Sequence, residues 1–247
     1  MTGESKNRIK IEARDTTDGA GAQIKRVFPG NNIRHIDPFV LLDEFFVTSE
    51  ASFPEHFHSG FEAITYMLEG SFRHKDNLGN DSTVNTGGIQ CFSAGEGIRH
   101  AELPGSENMN HGLQLWINLP DNKKNTDPTY QKVESEDVSE QEMEDVKIRT
   151  LVGQDGLIEL NTDISYRDFT LEQNSVYEEK IHEDWNGILY VLENKLKCGG
   201  ISLSPAEGMV IKKGGQLEIQ TEKKARFVLI TGAPHNKPIK QHGSVVD

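Results

Sequence analysis

Short runs of alternating apolar and polar residues, broken every few positions by Gly, Asn, Asp or Ser, dominate this chain. Ile64-Thr65-Tyr66-Met67-Leu68, Leu113-Gln114-Leu115-Trp116-Ile117, Gln216-Leu217-Glu218-Ile219-Gln220 and Arg226-Phe227-Val228-Leu229-Ile230 are examples. Successive side chains of a strand point to opposite faces, so a period of two argues for half-buried β-structure and against a helix with its 3.6-residue period. The expected fold class is all-β. One stretch, residues 138–144, reads as a short surface helix with a solvated acidic face.

A repeat narrows the architecture. Ala63-Ile64-Thr65-Tyr66-Met67-Leu68-Glu69-Gly70 aligns with Gly187-Ile188-Leu189-Tyr190-Val191-Leu192-Glu193-Asn194 at an offset of 187 − 63 = 124 residues, half of the 247. Each copy is followed by an apolar strand ending in proline, at Pro120 and at Pro234. At roughly 150 residues per domain the length falls between one domain and two, and the repeat favours two related β-barrels in tandem. The polar segment 121–145 reads as the linker, with a boundary near Val133 that gives domains 1–133 and 134–247.

Composition excludes several classes. With 39 acidic and 26 basic residues the formal net charge is −13, so the chain lacks the basic footprint that grips a phosphate backbone, and direct nucleic-acid binding is not expected. Apolar residues make up 35% of the chain and charged residues 26%, which supplies a core and rules out wholesale disorder. The sequence MTGESKNRIKIEARD has no apolar leader and no run is long enough to span a bilayer. Cys91 and Cys198 form neither a C-x-x-C pair nor a secreted-type framework. A cytoplasmic monomer with no membrane contact is the expectation.

Nine histidines are spread over the chain, and three keep patterned company. In Pro54-Glu55-His56-Phe57-His58-Ser59-Gly60-Phe61-Glu62 and in Gly95-Glu96-Gly97-Ile98-Arg99-His100-Ala101-Glu102, residues i and i+2 share a strand face. His56 with His58, and His100 with Glu102, therefore each present two donors side by side. Either motif alone is more often a polar strand edge than a metal site. If the two strands face one another in a barrel, three neutral imidazoles and a carboxylate converge, a donor set suited to divalent Fe, Mn, Co, Ni, Cu or Zn. Parity also puts Glu62, four residues after His58, on the histidine face, so spacing alone leaves Glu62 and Glu102 as competing carboxylates.

His-x-His-x3-Glu followed about forty residues later by Gly-x2-His resembles the two motifs of the cupin superfamily. The match is tighter to one of its families. Val27-Phe28-Pro29-Gly30, the run from Asp37 to Phe45, His58-Ser59-Gly60-Phe61-Glu62, the run from Gly95 to Glu102, that from His111 to Leu119, Pro128-Thr129-Tyr130-Gln131 and Gln241-His242-Gly243 together resemble the pirin family, including pirin-like quercetin dioxygenases. Longer members continue well past the Gln-His-Gly motif, whereas this sequence stops at Asp247.

The resemblance implies a bicupin of two double-sheet barrels with a metal in the N-terminal one only, iron first among the candidates. It makes His56, His58, His100 and Glu102 the ligands and leaves Glu62 a buried carboxylate beside them with hydrogen-bond partners of its own. It also implies cleavage of a flavonol or related phenolic ring with O2, in the manner of a quercetin 2,3-dioxygenase, with Glu102 accepting or hydrogen-bonding the substrate's hydroxyl proton and Phe45, Phe46 or Phe53 walling the pocket. The alternative that it implies is a non-enzymatic, iron-binding, redox-responsive regulatory protein whose partner is a transcription factor or another protein. His182 reads as exposed or capping, and Trp185 and Tyr190 as packing. His35, His74, His111, His235 and His242 are assigned to packing or structural hydrogen bonds, and both cysteines to the core.

Overall fold

The computed structural model describes residues 7–30 and 32–247. The absence of a leader was read partly on residues 1–6, which lie outside the described residues. Contacts group the chain into two units, and neither is one run of sequence. The first barrel holds Arg14–Val138, Leu160–Thr162 and His235–Asp247. The second holds Ser139–Glu159 and Asp163–Pro234 together with the first strand, β1 (Arg8–Glu12).

In the first barrel the chain runs through β2 (Arg14–Asp18), β3 (Ala22–Phe28), β4 (Phe39–Val47), β5 (Phe53–His58), β6 (Phe61–Glu69), β7 (Ser71–Asp76), β8 (Asp81–Asn85), β9 (Ile89–Ser93), β10 (Ile98–Pro104), β11 (Asn110–Asn118) and β12 (Thr129–Val133). These form a seven-stranded sheet ordered β12-β9-β6-β11-β4-β3-β2 and a four-stranded sheet ordered β5-β10-β7-β8. The central strand β6 is buried along nearly its whole length, so Ala63, Ile64, Tyr66 and Met67 serve both faces of the sheet. Register sets two rows across one face: Phe92, Ala63, Trp116 and Leu41 in one, and Gln90, Thr65, Gln114, Asp43 and Arg26 in the next. A polar stripe thus crosses an otherwise apolar interior.

The second barrel repeats this plan. Its strands β13 (Ser139–Met143), β14 (Val146–Val152), β15 (Ile164–Leu171), β16 (Val176–Ile181), β17 (Asn186–Glu193), β18 (Leu196–Cys198), β19 (Ile201–Leu203), β20 (Glu207–Ile211), β21 (Gly215–Thr221) and β22 (Ala225–Gly232) join β1 in two sheets. Their orders are β1-β20-β17-β22-β15-β14-β13 and β16-β21-β18-β19. The repeated octapeptides are β6 and β17, which occupy the same place in their sheets, so the all-β, two-barrel expectation is met. The interior is filled by Leu189, Met209, Ile211 and Leu217 around Phe169 and Phe227, whose rings stack at 5.0 Å. Tyr190 is fully buried and Trp185 packs against this cluster, while His182 is exposed and its Nδ1 accepts from the Asp184 amide at 3.3 Å.

Two local expectations are corrected. Residues 139–143 form no helix: they are β13, paired residue for residue with β14. Hydrogen bonding to a neighbouring strand outweighs the weak helical preference of an acidic stretch, and the charged side chains suit an exposed sheet edge. Within the supposed linker, Thr129–Val133 is β12, the edge of the first barrel's large sheet, paired with β9. Among the described residues no helix is long and apolar enough to cross a membrane.

The turn between β5 and β6 is tightly built. Gly60 has φ +80°, and a Cβ there would fall 1.8 Å from the Val246 carbonyl oxygen. Lys124 Nζ donates to the carbonyls of Gly60 and Val246 and to Asn118 Oδ1 at 2.8–3.0 Å, tying the turn to the C-terminal segment. Gly60→Ala combines a disfavoured φ with a backbone clash, and is expected to cost about 2 kcal/mol or more. Urea unfolding monitored by tryptophan fluorescence measures it.

Candidate metal centre

Strands β5 and β10 are adjacent and antiparallel, with His56 opposite His100 and His58 opposite Ile98. The alternation that sends Phe57 and Arg99 outward therefore sends all three imidazoles inward. Their rings lie 4.4 Å (His56–His58), 4.4 Å (His56–His100) and 4.9 Å (His58–His100) apart, and one nitrogen from each falls in a group within 4.8 Å.

Each Nδ1 is engaged away from this group. His56 Nδ1 bonds the Pro54 carbonyl at 2.7 Å and His58 Nδ1 the Ser244 carbonyl at 3.3 Å, so both must carry their proton there. His100 Nδ1 lies 3.3 Å from His74 Nδ1. The Nε2 atoms of His56 and His100 then face one another at 3.1 Å. Two nitrogens bound to one ion at about 2.1 Å each stand roughly 3 Å apart when cis. The spare lone pairs thus have the spacing of ligands to a single metal.

Glu102 sits two residues beyond His100 and is 5% exposed. Its Oε1 lies 3.3 Å from Thr65 Oγ1 and 3.2 Å from Gln90 Nε2, both donors on the polar stripe. It joins a second convergent group, with His74 and His100, in which donor atoms again lie within 4.8 Å. His100 is therefore the shared member: the structure gathers His56, His58 and His100 in one cluster and attaches Glu102 through His100.

Glu62 is placed differently from the parity expectation. Its carboxylate accepts from the Asn161 side-chain amide at 2.8 Å and from the Asn161 main-chain N–H at 3.2 Å. On β6 it alternates with Thr65 and Ala63, which face the histidines, and it shares its face with Ile64 opposite Cys91. Counting by twos from His58 fails because the chain reverses at Ser59–Gly60 between two different sheets. Glu62 does find partners of its own, but on the other side of the sheet.

Burial governs the protonation states. Desolvation, reinforced by neighbouring His56, pushes His58 down to about 3, and desolvation holds His100 well below the usual histidine range. Both are neutral donors at physiological pH. Burial raises Glu102 to about 7 against the opposing hydrogen bonds from Thr65 and Gln90. Both cysteines are buried, which raises their thiols and fits the packing role read for them.

The cluster opens into a cavity of about 370 Å3. Phe45, Phe53, Phe72, Leu41 and Trp116 line it, and Arg26, Asp43 and Gln114 form its polar side. Arg26 holds Asp43 in a two-pronged pair at 2.7–3.2 Å and reaches Asp18 at 3.0 Å. Phe45 and Phe53 occupy the expected wall positions. Phe46 does not: the opposite parity on β4 stacks it on His111 at 4.4 Å, and His111 in turn bonds Glu44. The hairpin of β23 (Gln241–His242) with β24 (Val245–Val246) contributes Gln241, Gly243 and Ser244 to the cavity rim.

His74, assigned to packing or structural hydrogen bonds, is fully buried and lies against His100, a contact the sequence reading did not anticipate. The same i, i+2 rule would have found it, because His74-x-Asp76 repeats on β7 the pattern of His100-x-Glu102 on β10.

The family model described as Pirin matches residues 21–117, and that described as Pirin C-terminal cupin domain matches residues 166–247. A pirin-like protein of Solanum lycopersicum is 38% identical over 246 residues, covering 96% of this chain and 84% of its own. Pirin of Rattus norvegicus is 34% identical, covering 100% and 88%. The crystal structure of a quercetin 2,3-dioxygenase from Acinetobacter baumannii superposes with a TM-score of 0.90 at 25% identity, covering 99% of this chain and 85% of that one.

Proposed function

The chain belongs to the pirin family, and from that premise we propose that it is a cytoplasmic, mononuclear metal-dependent dioxygenase that opens a flavonol or related phenolic ring with O2. The observation that carries this reading is the convergence of three imidazoles, each Nδ1 engaged elsewhere, at the wall of a ring-lined cavity of about 370 Å3. His56, His58 and His100 would hold the ion through Nε2, with Glu102 as the carboxylate ligand. Iron is the first candidate, with Mn, Co, Ni, Cu and Zn compatible with the same donors. When bound, the metal supplies Lewis acidity to a phenolic oxygen and a site for O2.

The remaining work falls to the chain. Phe45, Phe53 and Phe72 bracket a flat aromatic ligand and keep water from it. Glu102, ionised where it holds the metal, would hydrogen-bond or accept the hydroxyl proton as the ligand docks. Thr65 and Gln90 keep its Oε1 fixed while that happens. Arg26, Asp43 and Gln114 offer donors and acceptors to ring substituents farther along the polar stripe.

Aerobic turnover of quercetin by protein loaded in turn with Fe, Mn, Co, Ni or Cu tests the proposal. Loss of the flavonol absorbance with release of carbon monoxide is expected for at least one ion. No loss with any of them, in protein shown to hold metal, sinks it. The regulatory alternative is favoured by one feature: Phe57, 38% exposed beneath the Arg99 guanidinium, lies on the outer face of the very strands that carry the histidines. Binding of a protein partner that differs between reduced and oxidised iron would support that alternative.

A further inference from the structure

Strand β7 puts His74 and Asp76 on one face, and its register with β10 sets His74 opposite Glu102 and Asp76 opposite His100. Both side chains are completely shielded from solvent. Asp76 Oδ2 lies 2.9 Å from His74 Nε2, and the carboxylate is itself anchored by the Leu78 and Asn80 amides and the Asn80 side chain. An ionised carboxylate only accepts, so His74 carries its proton on Nε2. A neutral imidazole with Nε2–H has a bare Nδ1, and that Nδ1 stands 3.3 Å from His100 Nδ1. The bond between the two rings is therefore donated by His100, whose Nε2 lone pair is left pointing at His56.

We propose that His74 and Asp76 are positioning residues for the metal centre: the line Asp76–His74–His100 fixes the tautomer and the ring orientation of His100 and strengthens it as a ligand. The inference rests on the metal reading given above. His56 and His58 each give their Nδ1 proton to a main-chain carbonyl, whereas His100 alone gives it to a side chain backed by a carboxylate. Outer hydrogen bonds of this kind orient histidine ligands and raise their basicity. His74 is not itself a ligand in this arrangement, because its two nitrogens are committed to Asp76 and His100. Stacking on Tyr130 at 4.5 Å accounts for the ring but not for its nitrogens, since phenylalanine would stack equally well.

The test compares wild-type protein with His74→Phe, which keeps the stacked ring and removes the acceptor, and with His74→Gln, which returns an acceptor oxygen. Co(II) affinity is measured by competition with a chromophoric chelator, and proton NMR of the Co(II) protein follows the strongly shifted, exchangeable Nδ1–H of each bound histidine. The expected result is a roughly 10- to 100-fold weaker affinity in His74→Phe, with the His100 proton signal lost to exchange while those of His56 and His58 persist. His74→Gln restores most of both. Wild-type behaviour in His74→Phe, or equal losses in the two variants, overturns the positioning role while leaving the metal reading intact. Failure of the wild type to bind Co(II) overturns the metal reading, and this inference with it. Nitrogen NMR of the Zn(II)-loaded wild type needs no variant: His74 is expected to carry its proton on Nε2, and an Nδ1–H form overturns the proposal.

Discussion

Replacing both His56 and His58 by alanine is expected to abolish stoichiometric metal, taking protein purified without a chelating column from about one ion per chain to a trace. Two of the three imidazole nitrogens leave the cluster, and the remaining pair of donors, His100 and Glu102, cannot fill the four positions that a first-row ion demands. The loss of affinity should far exceed the roughly 10- to 100-fold attached to losing an outer hydrogen bond. His58 is 2% exposed, so its truncation also leaves a cavity and costs about 2–5 kcal/mol of stability. His56 is only half-buried, and His56→Ala alone should therefore remain folded and still lose most of its metal. Elemental analysis beside circular dichroism separates the two effects. Full metal content in folded His56→Ala would contradict the assignment.

Acid should weaken metal binding by a step that belongs to Glu102. Burial raises this carboxyl to about 7, so below pH 7 the free protein holds a proton that a coordinated carboxylate must give up. The sign follows directly: affinity falls as pH falls, by about tenfold or 1.4 kcal/mol per unit from this one group. His58, pushed down to about 3, stays unprotonated through the same range and adds nothing to the slope. Between pH 7 and 5, wild-type protein should lose one more factor of ten per unit than Glu102→Gln, which has no proton to release there. Calorimetry in buffers of different ionisation enthalpy counts that proton directly. Parallel slopes in the two proteins would remove Glu102 from the ligand set.

Much of this was legible because β-structure writes itself with a period of two. His56-x-His58 and His100-x-Glu102 could be assigned a common face without coordinates, and the half-length repeat located β6 and β17 at equivalent places in two barrels. Parity holds only within a strand. It failed for Glu62 because the Gly60 turn carries the chain from the four-stranded to the seven-stranded sheet, and the partner that satisfies Glu62, Asn161, lies 99 residues away. It failed for Phe46 in a simpler way: neighbours on a strand face oppositely, so Phe45 and Phe46 could not both wall the cavity.

Other features had weaker signals. The strand β13 was hidden by its acidic composition, since pairing with β14 rather than local preference makes it a strand. Nothing in the local sequence tells β1 to complete the second barrel or the last residues to complete the first: β1 finds its partner in β20, and the β23–β24 hairpin meets the first barrel at Ser59. His74 was overlooked because it stands alone as a histidine. Its relevance lies in Asp76 two residues on and in a strand register that places both against β10.

The most direct test of the central claim is an anomalous-difference map from crystals of the metal-loaded protein, recorded on both sides of the metal's absorption edge. One peak is expected, about 2.1 Å from the Nε2 atoms of His56, His58 and His100 and at a similar distance from a Glu102 carboxylate oxygen. A peak bound through His74, a peak elsewhere, or none at all in protein shown to carry metal would contradict the account.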